Sequence, residues 1–301
     1  MMKKYRLYQI DSFTNERFRG NPAGVITNAD GLTESQMQKI ARELNNSETA
    51  FVFSSDTGDY DVYVRYFTPA KEVPICGHAT IAAHYARAAE KNMDTCRVFQ
   101  KSGAGILPVD IIRDRDNYKI VMTQGKIEFG DLIEGENRRV LLEALKMTEE
   151  ALDKNCAVQI VSTGHSKVMI GIKSKKVLNK LEPNLSMLSE LSKIIKCNGY
   201  YVFTFDTGDK DILVCGRMFA PAIGINEDPV TGNANGPLGA YLVYHSLVEH
   251  DGHRLVFNGK QGEAIGRTGI VKVEVDIADM QPEEVRISGE AVIVFQSELT
   301  M

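Results

Sequence analysis

The chain has 301 residues, 43% hydrophobic and 25% charged, the make-up of a globular protein of one large or two ordinary domains; a disordered, fibrous or collagen-like chain is excluded. Its formal net charge is −5, and Lys and Arg are scattered along it, so the basic footprint of a nucleic-acid or anionic-membrane binder is lacking and a small-molecule partner is expected. No stretch approaches the roughly 18 apolar residues of a membrane span. The N-terminal MMKKYRLYQIDSF does not read as a signal peptide, and the five cysteines never fall in a CxxC pattern. A cytoplasmic protein with reduced thiols, no disulfide framework and no metal site is expected.

In chain order, YRLYQIDSF and AGVIT read as strands, followed by an amphipathic helix in which Met37, Ile40, Ala41 and Leu44 share a face behind a Thr33-x-x-Gln36 capping box. TAFVF and DVYVRYF form a hairpin-like pair around the turn DTGDYD at 56–61, and the helix GHATIAAHYARAAE comes next. RVFQKS and YKIVMTQ extend the sheet. The order then repeats: AVQIVSTG, KVMIGI, a helix carrying Leu188, Leu191 and Ile195, YYVFTF, a second turn DTGDKD at 206–211, DILVCGRMF, the helix GNANGPLGAYLVYHS, RLVFNGK and IVKVEVDI. RYFTPA at 65–70 matches RMFAPA at 217–222, and PICGHA at 74–79 matches PVTGNA at 229–234. The two helices GHATIAAH and GNANGPLG are apolar nearly all round, as a helix wrapped in sheet requires. VRISGEAVIVFQSE reads as a final strand. The predicted division is 1–126 with 288–301 for the first half and 127–287 for the second, the boundary falling in a polar stretch near 124–137.

Positions where the copies differ beside matching glycine turns are candidates for chemistry, since a duplicated scaffold keeps what folds it. Glu48 aligns with Asn198, Val73 with Asp228, Cys76 with Thr231, and His78 with Asn233. Gly77 and Gly232 each open a helix whose first N–H groups lack intrahelical partners, an end that favours an anion or carboxylate. Singly, Glu48 reads first as an exposed strand-entry residue and Asp228 as a turn residue before Pro229, and His78 reads as readily as a cap. Paired carboxylates across a cleft can move a proton. No Walker loop, dinucleotide fingerprint, GxSxG or metal-ligand spacing occurs, so neither cofactor nor metal is expected.

IDSFTNERFRGNPAGV, ARELNNSETAFV, RYFTPAKEVPICGHAT and GRMFAPAIGINEDPVTGNANG resemble, over essentially the whole chain, the PhzF family of phenazine-biosynthesis-like proteins, in particular its YddE-like branch. The resemblance implies an α+β, diaminopimelate-epimerase-like fold: two pseudo-symmetric β half-barrels, each around a central α-helix, with the site in the interdomain cleft of a homodimer subunit. It also implies a cofactor-free isomerase that moves a proton within a small, cyclic, amino-acid-like carboxylate. The family's base in the SET motif falls on Glu48, its GH histidine on His78 and its DP aspartate on Asp228. Ser47, Asn21, Gly77, Ala79, Gly232, Asn233 and Ala234 fall on the substrate-binding positions. Asn233 departs from the serine of many members, which puts substrate identity in question. The rival readings are an amino-acid epimerase, racemase or dehydratase using Cys76 with Thr231, and a non-catalytic binding protein.

Overall fold

The computed structural model describes residues 2–301. The chain forms two compact units, one running up to Thr123 and completed by Ser288–Met301, the other Gln124–Ile287.

In the first unit β1 (Lys4–Ser12) pairs antiparallel with β2 (Asn21–Ile26), and after α1 (Glu34–Leu44) the chain returns as β3 (Thr49–Ser54), parallel to β2. β4 (Val62–Phe67) runs antiparallel to β3 and carries the short β5 (Glu72–Val73) on its end. The helix α2 (Gly77–Lys91) follows, then β6 (Cys96–Ser102), parallel to β4, and the antiparallel β7 (Gly105–Asp114) and β8 (Asn117–Thr123). The chain's last strand pairs with both β1 and β8 and closes eight strands into a barrel. α1 begins with the expected capping box, Thr33 accepting from Gln36 N while the Gln36 side chain accepts from Thr33 N, an arrangement worth about 1 kcal/mol. Its buried face packs Met37, Ile40 and Ala41 with Phe51 and Phe67. α2 threads the barrel against β1, β2, β3, β7 and β8, and the alanines at 79, 82, 83, 86 and 88 are fully buried, small enough to let strands approach from every side.

The second unit repeats this order. β9 (Glu128–Leu132) and α3 (Gly135–Leu145) precede β10 (Gln159–Ser162), β11 (Lys167–Gly171), the short α4 (Lys175–Asn179), α5 (Leu185–Ile195), β12 (Tyr200–Thr204), β13 (Val214–Ala220), β14 (Ile225–Asp228), α6 (Gly232–Tyr244), β15 (Arg254–Gln261) and β16 (Gly269–Ala278), and the last strand, β17 (Gln281–Thr300), begins in this unit and from Ser288 on belongs to the first. β10–β11 is antiparallel, β11–β12 parallel, β12–β13 and β13–β14 antiparallel, β13–β15 parallel and β15–β16 antiparallel, the same sequence of directions as in β1–β7. α6 packs on β10, β11, β15 and β16, and α5 buries Leu188 and Leu191, with Ile195 packed partly against the same cluster. Asp279 and Met280, both with positive φ, make the two-residue turn into β17.

Several elements escape the sequence reading, the short β5 and α4 among them. β7 has Pro108 in its interior, which argues against a strand, yet it lies between β6 and β8. The polar stretch expected to be a boundary contains β9, paired with β10, and runs into α3, whose Leu141, Leu142, Ala144 and Leu145 are buried. β9 reads as loop because its side chains are mostly exposed. β14 is only four residues long and pairs through a register shift. Among the described residues no helix is long and apolar enough to cross a membrane.

Candidate active site

In the first unit the candidate residues converge where β3 begins and α2 starts. α1 ends with Asn45 in the left-handed region, and the next residues deliver Ser47 and Glu48 to the mouth of β3. Cys76 is the N-cap of α2 and His78 lies in its first turn; both are 6% exposed and Glu48 is 9% exposed. His78 Nε2 lies 3.3 Å from Ser47 Oγ and 3.4 Å from Glu48 Oε2, while its Nδ1 is 3.4 Å from Cys76 Sγ. Burial pushes the His78 pKa from 6.5 down to about 3, so the ring is neutral near pH 7. A neutral ring has one N–H, and a carboxylate accepts only, so a proton on Nε2 suits Glu48 and leaves Nδ1 to accept from the thiol. The helix start is tied down from two sides: Ser12 Oγ donates to His78 O at 2.8 Å, and Thr80 Oγ1 donates to Cys76 O at 2.7 Å. Asn21, fully buried, stands opposite Ser12 in the β1–β2 register. Gly77 and Ala79 flank His78 and are buried, and α2 has no acidic residue in its first turn to offset the positive end of its dipole.

In the second unit the matching helix start is built differently. Asp228, 5% exposed, ends β14, and Thr231, the N-cap of α6, donates its hydroxyl to Asp228 Oδ2 instead of capping its own helix. Gln261, at the end of β15, ties down the helix start instead. Its Oε1 accepts from Thr231 N at 3.0 Å and Asn235 Nδ2 at 3.2 Å, and its Nε2 donates to Asp228 O at 2.8 Å and Thr231 Oγ1 at 3.1 Å. Gln124 Nε2 donates to Gly232 O at 3.1 Å and Asn233 Oδ1 at 3.2 Å. A Cβ on Gly236 would stand 1.9 Å from Gln124 Oε1, so only glycine leaves room for this bracket. Ala234 is fully buried, and its N–H is taken by Thr231 O.

Lys167, 7% exposed, is a second charged group here. Its chain lies over Gly199, where a Cβ would meet Lys167 Cδ at 2.3 Å, and its Nζ donates to Ser166 O at 3.1 Å. Burial lowers its pKa, an effect opposed by charge on Cys197 and Asp228.

The structure thus brings Ser47, Glu48, Cys76 and His78 together in one unit, and in the other gathers Asp228 and Thr231 around Gln261 and Gly232 and Asn233 around Gln124. Sequence reasoning missed Gln124, Lys167 and Gln261. The glycines facing two of them, Gly236 and Gly199, are visible in the sequence, but what fills the space beside each is not.

Comparison with known proteins agrees with this architecture. Residues 10–297 match the family described as phenazine biosynthesis-like protein, PhzC-PhzF. The chain is 68% identical over its full length, and that of the relative, to an uncharacterized isomerase of Clostridium acetobutylicum. It is 50% identical to the uncharacterized isomerase YddE of Escherichia coli, covering 98% of each chain. A trans-2,3-dihydro-3-hydroxyanthranilate isomerase of Pseudomonas fluorescens is 29% identical over 94% of this chain and 95% of its own. Among solved structures, a PhzF-family phenazine biosynthesis protein of Bacillus anthracis superposes with a TM-score of 0.89 at 32% identity, covering all of both chains. A hydroxyproline epimerase of Agrobacterium vitis shares the fold alone, with a TM-score of 0.65 at 12% identity over 99% of this chain and 92% of that one. The family and its named relatives define an enzyme of the isomerase class. The chain belongs to the PhzF family of phenazine-biosynthesis-like proteins, alongside the YddE isomerases.

Proposed function

We propose that this isomerase shifts a proton within a small, cyclic, amino-acid-like carboxylate without metal or cofactor, with Glu48 as general base and His78 and Asp228 assisting. The observation that carries the reading is the buried Glu48 carboxylate 3.4 Å from the buried, neutral His78 ring. A carboxylate removes a proton from carbon beside an electron-withdrawing group, and a neighbouring neutral imidazole passes a proton on without adding a charge the site would have to bury. The starts of α2 and α6 are suited to substrate carboxylate and to negative charge developing during the transfer. The substrate class is supported by the name of the Pseudomonas fluorescens relative, a carboxylated dihydro ring amine. The repeated strand order supports a diaminopimelate-epimerase-like fold. An epimerase reading through Cys76 needs a second acid–base group at Thr231, whose hydroxyl is engaged by Asp228 and is a far weaker acid than a thiol.

The test is solvent deuterium incorporation into trans-2,3-dihydro-3-hydroxyanthranilate and related cyclic amino acids, in buffer freed of metal by a chelator. Glu48→Gln keeps the shape and is expected to slow exchange by roughly 10²–10⁴-fold with unchanged circular dichroism. Equal exchange in both proteins removes Glu48 from the role, and loss of wild-type exchange on chelation removes the cofactor-free mechanism.

A further inference from the structure

Glu48, Cys76 and His78 each offer one donor atom, and all three atoms lie within 4.8 Å of one another. The arrangement centres on His78 Nε2, with Glu48 Oε2 at 3.4 Å, Cys76 Sγ at 3.9 Å and Ser47 Oγ at 3.3 Å. In a tetrahedral zinc site, bond lengths near 2.0–2.3 Å put neighbouring nitrogen and oxygen ligands about 3.4 Å apart and nitrogen and sulfur about 3.6 Å apart. The carboxylate already stands at that separation from the ring nitrogen, the thiol has a few tenths of an ångström to close on it, and the carboxylate and thiol, within 4.8 Å of each other, draw in toward the roughly 3.6 Å of a shared ion.

We propose that Glu48, Cys76 and His78 form a binding site for zinc, with the fourth position taken by Ser47 or water, and that occupation switches the enzyme off. Charge favours it. A thiolate and a carboxylate together neutralise a divalent cation, so the filled site buries no net charge, and the thiol proton leaves to solvent on binding. Thiolate and imidazole select zinc or cobalt(II) over magnesium or calcium. Coordination through Nε2 puts the single proton of the neutral ring on Nδ1, the other tautomer. The bonds from Ser12 and Thr80 to the carbonyls of His78 and Cys76 hold two of the three ligands in place before any ion arrives. The spacing rules that argue against zinc look for cysteine pairs, and this set joins one cysteine to a carboxylate from a different element.

Binding is read without substrate, so it stands or falls apart from the proposed reaction; the inhibition rests on Glu48 as base. Cobalt(II) added to metal-free protein is expected to bind one to one, with the visible bands of a tetrahedral site and a thiolate-to-cobalt charge-transfer band, both removed by zinc. Cys76→Ser should lose the charge-transfer band while circular dichroism stays unchanged, and Glu48→Gln should bind more than about tenfold more weakly. Cys96→Ser, which alters the partly exposed thiol, should keep the full spectrum. A charge-transfer band that survives Cys76→Ser, or a six-coordinate spectrum without one, overturns the site. Zinc should abolish deuterium exchange reversibly, a chelator restoring it; full activity in zinc-saturated protein overturns the switch.

Discussion

Thr231 occupies an N-cap position and carries a capping side chain, yet its hydroxyl serves Asp228 and its own N–H goes to Gln261. One buried carboxamide therefore satisfies the Thr231 N–H, the carbonyl of Asp228 and the amide of Asn235. Gln261→Leu keeps the volume but strands these groups, each costing roughly 1–3 kcal/mol when buried without a partner. The variant is expected to lose about 3 kcal/mol in urea unfolding and to lower turnover more than substrate affinity, because Asp228 and Thr231 lose their register. A stability loss below about 0.5 kcal/mol would show that water replaces the carboxamide without cost. At this scale the sequence exposes the chemistry-bearing residues by contrast between the copies, Glu48 against Asn198 and Asp228 against Val73. Gln261 and Lys167 stay hidden because a glutamine or lysine at a strand end reads as an ordinary surface residue until the strand's register is known.

The strand pair leading to each helix start is clamped twice over by the same device. Arg65 holds Glu72 with bonds of 2.7 and 2.6 Å and lies over the Phe67 ring, and Arg217 holds Glu227 with bonds of 2.9 and 2.7 Å and lies over Phe219. The surroundings differ. Arg217 and Glu227 are 8% and 13% exposed, and Arg217 also donates to Leu178 O and Leu181 O, whereas Arg65 and Glu72 are 18% and 37% exposed. Arg217→Met leaves a carboxylate and two carbonyls unpaired in a dry place and is expected to cost about 3–5 kcal/mol. Arg65→Met is expected to cost about 1 kcal/mol, since water reaches Glu72. Equal losses in paired denaturation curves would mean that burial is not what sets the value of the clamp. The motif behind both clamps, RYF and RMF, is plain in the sequence, but which copy lies buried follows from α4 and the segment after it covering one of them.

Across the whole molecule, buried neutral histidines tie stability to pH. His84 sits inside α2 with no exposure, one ring nitrogen bonded to Gln100 Oε1 at 2.8 Å and the other accepting from Arg87 at 3.2 Å. Burial, reinforced by the Arg87 charge, lowers its pKa from 6.5 to about 3. Below pH 6.5 the unfolded chain takes up a proton that the folded one refuses, so the contribution is complete above 6.5 and is lost progressively as pH falls toward 3. The urea midpoint should drop between pH 7 and pH 4, and less steeply in His84→Gln; parallel slopes would take His84 out of the account. By itself the sequence determined the duplication, the order of most strands and helices in each copy, the two all-round apolar helices and the family, because periodicity, turn residues and repeated motifs are local and survive without coordinates. Tertiary structure decided the rest. That Glu48 meets Cys76 and His78, that Gln261 reaches Thr231 and that Lys167 lies over Gly199 all depend on strand register and on which side of a helix faces inward. Those are set by burying the whole apolar surface at once, which no single segment specifies.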